Sequence, residues 1–121
     1  KAAKILDLEL IPLKLSNPSF YHLDTCFCLL NNSCAMYYPG AFSPSAIRKI
    51  RKHIPDLISL DVHDASMFAC NSVVDDGRVL MPSGPKKSLE ELDARGYEVS
   101  LINTSEFLKS GGSLQCMTLW I

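Results

Sequence analysis

The sequence predicts an α/β fold of repeated strand-strand-helix-strand (ββαβ) units, and three observations predict it. Apolar strand-like runs alternate with one helical pattern per unit. The same order of elements occurs twice, with a period of about 45–48 residues. Further apolar, strand-like stretches stand at both ends, as though they belonged to neighbouring units. Units of this kind bury their apolar faces against one another, and two alone leave open edges. The pattern therefore predicts either more chain upstream of Lys1 or contacts with a second copy.

Residues 5–13 read as the closing strand of a preceding unit, with Pro12 near its end. Asn17-Pro18-Ser19 is a turn signal. The first whole unit spans residues 20–60. Residues 20–30 read as a long buried strand, Asn31-Asn32 as a hairpin turn and residues 33–38 as the returning strand. Ser43-Pro44 combines an N-cap with proline at the first helical position. Ile47, Ile50 and Ile54 then recur at helical spacing, with the helix running to about His53, and residues 57–60 form a short strand. The second unit spans residues 67–102. Residues 67–74 read as a strand, Asp75-Asp76-Gly77 as a turn and residues 78–81 as the return. Residues 86–95 read as a helix stopped by Gly96, and residues 97–102 as a strand. Residues 114–121 read as one further closing strand after Gly111-Gly112.

The 121 residues suit one small domain, and 47% apolar with 21% charged residues is ordinary for a globular chain. The net charge is −1. The basic residues gather only at Arg48, Lys49, Arg51 and Lys52, which read as a solvated helix face, so no nucleic-acid or membrane partner is expected. No apolar run approaches the ~18 residues of a membrane-spanning helix. The first residues show no signal-peptide pattern, and the chain begins at Lys1 without an initiating Met, as a fragment or processed product would. Five cysteines, four of them in apolar runs, predict free thiols in a reducing, cytoplasmic setting.

Three residues stand out as candidates for chemistry. On a strand, His22 and Asp24 would project to the same face. A histidine and a carboxylate on an apolar strand are costly unless paired or used; a stabilising pair is the alternative reading. Cys116 follows the Gly111-Gly112 pair, which permits close backbone approach. A thiol there becomes a nucleophile if a neighbour favours its thiolate, and is otherwise a small buried apolar residue. Cys26, Cys28 and Cys34 with His22 can be drawn as a zinc site, but no C-x-x-C spacing supports it, so no metal or cofactor is expected. His53 ends a helix, and His63 with Asp61 and Asp64 reads as a surface loop. Asn71 and Ser72 occupy the position equivalent to Leu23-Asp24 in the other unit, where a polar residue either lines the same central face or caps a strand.

Together, FYHLDT, YYPGAF, DASMFACNSV and SEFLKSGGSLQCMTL, in this order and at these separations, resemble the dimethylarginine dimethylaminohydrolase–arginine deiminase–amidinotransferase superfamily of guanidino-group modifying enzymes. The likeness covers nearly the whole chain and is closest to the dimethylargininase-like branch. It implies a five-bladed α/β propeller of ββαβ modules. By the observed period a complete one needs roughly 250 or more residues, so residues 1–121 correspond to the C-terminal portion of one such domain. It implies Cys116 as nucleophile, His22 as general acid/base and Asp24 as a carboxylate that binds the guanidinium. The implied activity is hydrolysis of dimethylarginine or an arginine-like substrate to citrulline and an amine. Amidino transfer through the same intermediate, or an inactive truncated module that associates with a partner, are the alternatives. The family's other acidic site residues lie upstream of its HLDT motif, and Glu9 is not assigned that role.

Overall fold

The computed structural model describes residues 7–110 and 113–119, for Leu108 the backbone only. Strand β1 (Phe27–Asn31) turns back as β2 (Cys34–Tyr37) in an antiparallel hairpin. The Asn31 side chain accepts the Ser33 amide at 2.8 Å and so shapes the turn from within. Helix α1 (Pro44–His53) follows. The Ser43 hydroxyl accepts the Ala46 amide, Pro44 opens the helix, and Arg51, Lys52 and His53 occupy its last turn, where positive charge is favourable. Strand β3 (Asp56–Ser59) then pairs parallel with β2, from Cys34 opposite Asp56 to Tyr37 opposite Ser59.

The second module repeats this path. Strands β4 (Val73–Asp75) and β5 (Arg78–Pro82) form a hairpin whose turn residues Asp76 and Gly77 both have positive φ, as a tight turn between twisted strands requires. Helix α3 (Lys87–Ala94) leads through Gly96, at φ 81°, to β6 (Glu98–Ile102), parallel to β5. The two sheets have the same order, β1-β2-β3 and β4-β5-β6. The predicted fold class therefore holds.

The main core lies between the modules. Cys28, Leu30, Met36 and Ile58 of the first sheet, with Leu60 just after β3, meet Cys70, Val79, Met81 and Leu92 of the second module. Each large apolar side chain buried there is worth about 1.5–3 kcal/mol. A second cluster, including Phe20, Tyr37, Phe42, Ala46 and Ile50, fills the space between the first sheet and α1. Polar ties cross between the modules as well. Arg95, at the end of α3, clasps Asp56 through two bonds of 2.8 and 2.9 Å, and the Asn31 amide donates to the Tyr97 hydroxyl at 2.6 Å.

Several predicted strands are not strands. Residues 20–26 precede β1 as irregular chain with a 3-10 turn at Leu23–Thr25. The Thr25 hydroxyl donates to the His22 carbonyl at 2.6 Å, a local bond that competes with strand pairing. Residues 67–72 form turns, because Phe68 takes φ 59° and the Ser72 hydroxyl donates to the Ala69 carbonyl. Residues 114–117, expected in the closing strand 114–121, form the helical turn α5 (Leu114–Met117) after the short helix α4 (Ser105–Leu108); Trp120 and Ile121 lie outside the described residues. Of the strand expected at 5–13, residues 5 and 6 lie outside the described residues. Residues 8–13 pair with no described strand, and Leu8, Leu10 and Ile11 are exposed. The segment is held by the Lys49 ammonium, which donates to the Pro12 carbonyl at 2.9 Å, by Leu13 packed on the second cluster, and further on by the Leu15–Phe42 bridge. His63 and its neighbours are not a loop but the helix α2 (Val62–Ser66), capped by Asp61.

Candidate active site

The site sits where the first-strand ends of the two modules meet. Asp24 lies on the 3-10 turn ahead of β1, and Cys116 on α5. The Cys116 Sγ is 3.8 Å from Asp24 Oδ2, across 92 residues of sequence. The other carboxylate oxygen, Oδ1, is buried and has no hydrogen-bond partner among the described residues. An unpaired buried carboxylate oxygen is costly, so a cation or hydrogen-bond donor at this point would be stabilised. A cleft of about 270 Å³ opens beside it, lined by Asp24, Leu29, Ser72, Val74 and Gln115 among others.

Asn71 holds this arrangement together. It is fully buried. Its side-chain amide donates to the Asp24 carbonyl at 3.0 Å, and its side-chain oxygen accepts the Ser113 amide at 3.0 Å and the Cys116 amide at 3.2 Å. Its backbone carbonyl accepts the Gln115 amide at 3.2 Å. Ser113, also fully buried, is in addition bonded to the Thr104 hydroxyl at 2.9 Å. The Gly111-Gly112 pair lies outside the described residues.

Of the three residues singled out by sequence, the structure brings Cys116 and Asp24 together. His22 immediately precedes the turn that carries Asp24, but it is exposed and its ring packs edge-on against Tyr21, with centroids 4.7 Å apart. Among the described residues its ring bonds to neither Asp24 nor Cys116. The same-face strand argument for His22 and Asp24 fails, because the two residues flank a 3-10 turn. Sequence reasoning underrated Asn71 and Ser113. The signal for Asn71 was an amide within an otherwise apolar run, at the position equivalent to Leu23-Asp24.

The cysteines divide sharply. Cys116 is exposed, while Cys26, Cys28, Cys34 and Cys70 are buried. Burial pushes the Cys26 thiol up to about 11 and the Cys28 thiol up to about 12, and raises Cys34 and Cys70 as well. Among the described residues, the group with metal-ligand geometry is Asp61, His63 and Asp64, not the cysteines with His22. Asp64 is already engaged there. Its carboxylate accepts the Ser88 amide and hydroxyl, both at 2.7 Å, and the Lys86 amide at 3.2 Å.

Two ββαβ modules whose shared end presents an exposed thiol beside a carboxylate define part of an α/β propeller. No family model matches the chain. It is 39% identical over 119 residues to the N(G),N(G)-dimethylarginine dimethylaminohydrolase of Mycobacterium tuberculosis, covering 98% of this chain and 39% of that protein. It superimposes on the product-bound N-terminal domain of the cyanobacterial arginine dihydrolase ArgZ with a TM-score of 0.92 at 40% identity, covering 97% of this chain and 44% of that one. A cysteine-to-serine mutant of the same domain has been captured with substrate. SxtG, an amidinotransferase from Microseira wollei, matches with a TM-score of 0.80 at 16% identity over 98% of this chain and 38% of that one, a likeness of fold alone. The chain spans between 17% and 42% of the length of the first curated relatives it matches. It belongs to the dimethylarginine dimethylaminohydrolase–arginine deiminase–amidinotransferase superfamily.

Proposed function

We propose that this chain supplies the nucleophile, the acid/base and one guanidinium-binding carboxylate of a hydrolase acting on the guanidino group of dimethylarginine or an arginine-like substrate. One observation carries the reading: the exposed Cys116 thiol lies 3.8 Å from Asp24, whose second oxygen is buried with no hydrogen-bond partner among the described residues. A planar cation with several N–H donors suits that oxygen, through charge-assisted hydrogen bonds. The Cys116 thiolate adds to the guanidinium carbon. The bond from that carbon to the leaving nitrogen breaks as protonated His22 passes it a proton, and the carbon stays on sulfur as a thiouronium. Neutral His22 then takes a proton from water as the oxygen adds to the same carbon. The carbon–sulfur bond breaks and the thiolate returns. Dimethylarginine gives citrulline and dimethylamine, and arginine gives citrulline and ammonia. For this, the His22 ring leaves Tyr21 and turns toward Cys116.

Hydrolysis is favoured over amidino transfer because the relatives at 39–40% identity are named for hydrolytic activities, whereas the amidinotransferase likeness stands at 16%. In this reading residues 1–121 are the C-terminal portion of a single propeller domain. The remaining acidic groups come from chain upstream or from another copy. No described helix is long and apolar enough to cross a membrane; the five free thiols support a cytoplasmic location. The partner is a small guanidino compound, with neither nucleic acid nor membrane involved.

The test uses the full-length polypeptide that contains this sequence. Cys116→Ala is expected to stop citrulline release and to prevent any covalent adduct on mass spectrometry. His22→Ala is expected to stop turnover while leaving the protein folded. Citrulline released at the native rate by Cys116→Ala would end the proposal, and the same result with His22→Ala would remove His22 from it.

A further inference from the structure

The nucleophile and the carboxylate of the proposed site come from segments 92 residues apart, and one residue bonds to both. Asn71 is fully buried on the turn ahead of β4. Its amide nitrogen reaches the carbonyl of Asp24, while its amide oxygen takes the backbone N–H groups of Ser113 and Cys116. One planar group thus joins both reacting segments. Its donor end faces one and its acceptor end the other, an arrangement that only a carboxamide supplies with a single side chain of this length.

We propose that Asn71 is a positioning residue that fixes the separation of Cys116 and Asp24. The inference rests on the reading of Cys116 as nucleophile. Nothing else described ties these segments so directly. The Thr104–Ser113 bond joins those two hydroxyls but does not reach Asp24. The Cys116–Asp24 contact itself, at 3.8 Å and exposed, is too long and too wet to hold the geometry. The two amides that Asn71 accepts, one buried and one part-buried, are by contrast costly to abandon, because the N–H groups left behind lose their partner. Reacting groups displaced by about an ångström lose on the order of a hundredfold in rate.

The roles of the two ends can be separated. Asn71→Ala removes both. Asn71→Asp keeps an acceptor for Ser113 and Cys116 but loses the donor to the Asp24 carbonyl. In the full-length polypeptide, Asn71→Ala is expected to lower kcat at least tenfold and to slow alkylation of Cys116 by a haloacetamidine to a similar degree. Circular dichroism is expected to stay native. Asn71→Asp is expected to recover part of the labelling rate with neutral iodoacetamide, while KM for the guanidino substrate is raised above the native value. Native kcat, KM and pH–rate profile for Cys116 labelling in a folded Asn71→Ala protein would overturn the inference and leave the residue a packing element. If neither variant folds, the positioning role is likewise overturned in favour of a purely structural one. If Cys116→Ala itself retains turnover, the reading of the nucleophile fails first, which distinguishes the two failures.

Discussion

Selective modification of Cys116 is the most direct consequence of the way the thiols are arranged. The perturbation is a brief exposure of native protein to iodoacetamide at pH 8. With its thiol pushed up to about 11, Cys26 is ionised in about one molecule in a thousand at that pH, and Cys28, at about 12, in about one in ten thousand. Both are buried, so reagent reaches them only when the fold opens, which multiplies the suppression. Cys34 and Cys70 are buried and raised in the same way. Cys116 needs no opening, because it is exposed on α5. Peptide mapping by mass spectrometry should therefore find Cys116 carbamidomethylated, with the other four less than about a tenth modified in the same time. In denaturant all five should react. Labelling of Cys26 or Cys28 at a rate comparable with Cys116 under native conditions would refute the reasoning. It would mean that the apolar cluster burying that thiol is open in solution, the one between the modules for Cys28 and the one under α1 for Cys26.

Two further outcomes test the frame that holds the site. Asp64→Ala should cost about 3–5 kcal/mol in urea unfolding, because it strands the Ser88 and Lys86 donors inside the fold; a loss under about 1 kcal/mol would show that the buried carboxylate does not hold α2 to α3. Two bonds from Arg95 hold the Asp56 carboxyl down at about 2, below its unfolded value near 3.8, so the clasp contributes stability above about pH 4 that is lost as pH falls toward 2. Arg95→Met should flatten that part of the stability-versus-pH curve relative to wild type, and an unchanged acid limb would refute the clasp.

The ββαβ order and the repeat were legible because each module carries strong local punctuation. Ser43-Pro44 starts α1 where the sequence places it, Gly96 ends α3, and Asp76-Gly77 turns the second hairpin. The segments ahead of β1 and β4 misread as strands because their composition is apolar, while their geometry is set by polar atoms that bond either one turn back or far away in sequence. Thr25 folds back on His22, and Asn71 reaches Asp24, Ser113 and Cys116. Neither bond leaves a periodic trace. The same holds for Asp64, which looks like one acid among three on a surface segment. Only the presence of Lys86 and Ser88 beside it, 22 and 24 residues on, shows that it caps and anchors α3. Cys116 and Asp24 were legible as residues, through a motif, but not in their relation. A reading of His22 and Asp24 as strand neighbours implies a shared face, and the turn replaces it with a carboxylate facing Cys116 and a histidine facing solvent.

The two modules explain why the site forms where it does. A strand commits every backbone N–H and C=O to its neighbours and alternates its side chains between two faces, which leaves little freedom to aim several groups at one point. The residues just ahead of β1 and β4 are free of that commitment. Because the modules repeat, those two segments come together at the same end of the paired sheets, one bringing Asp24 and the other Asn71. Helix α5 then docks onto both through Asn71 and delivers Cys116. The departures from the predicted strands thus coincide with the proposed site: had residues 20–30 and 67–74 been continuous strands, Asn71 would have spent its backbone on a ladder and Asp24 would have shared a face with His22. The repeat supplies a pair of sheets, and the proposed site occupies the two places where the repeat is interrupted.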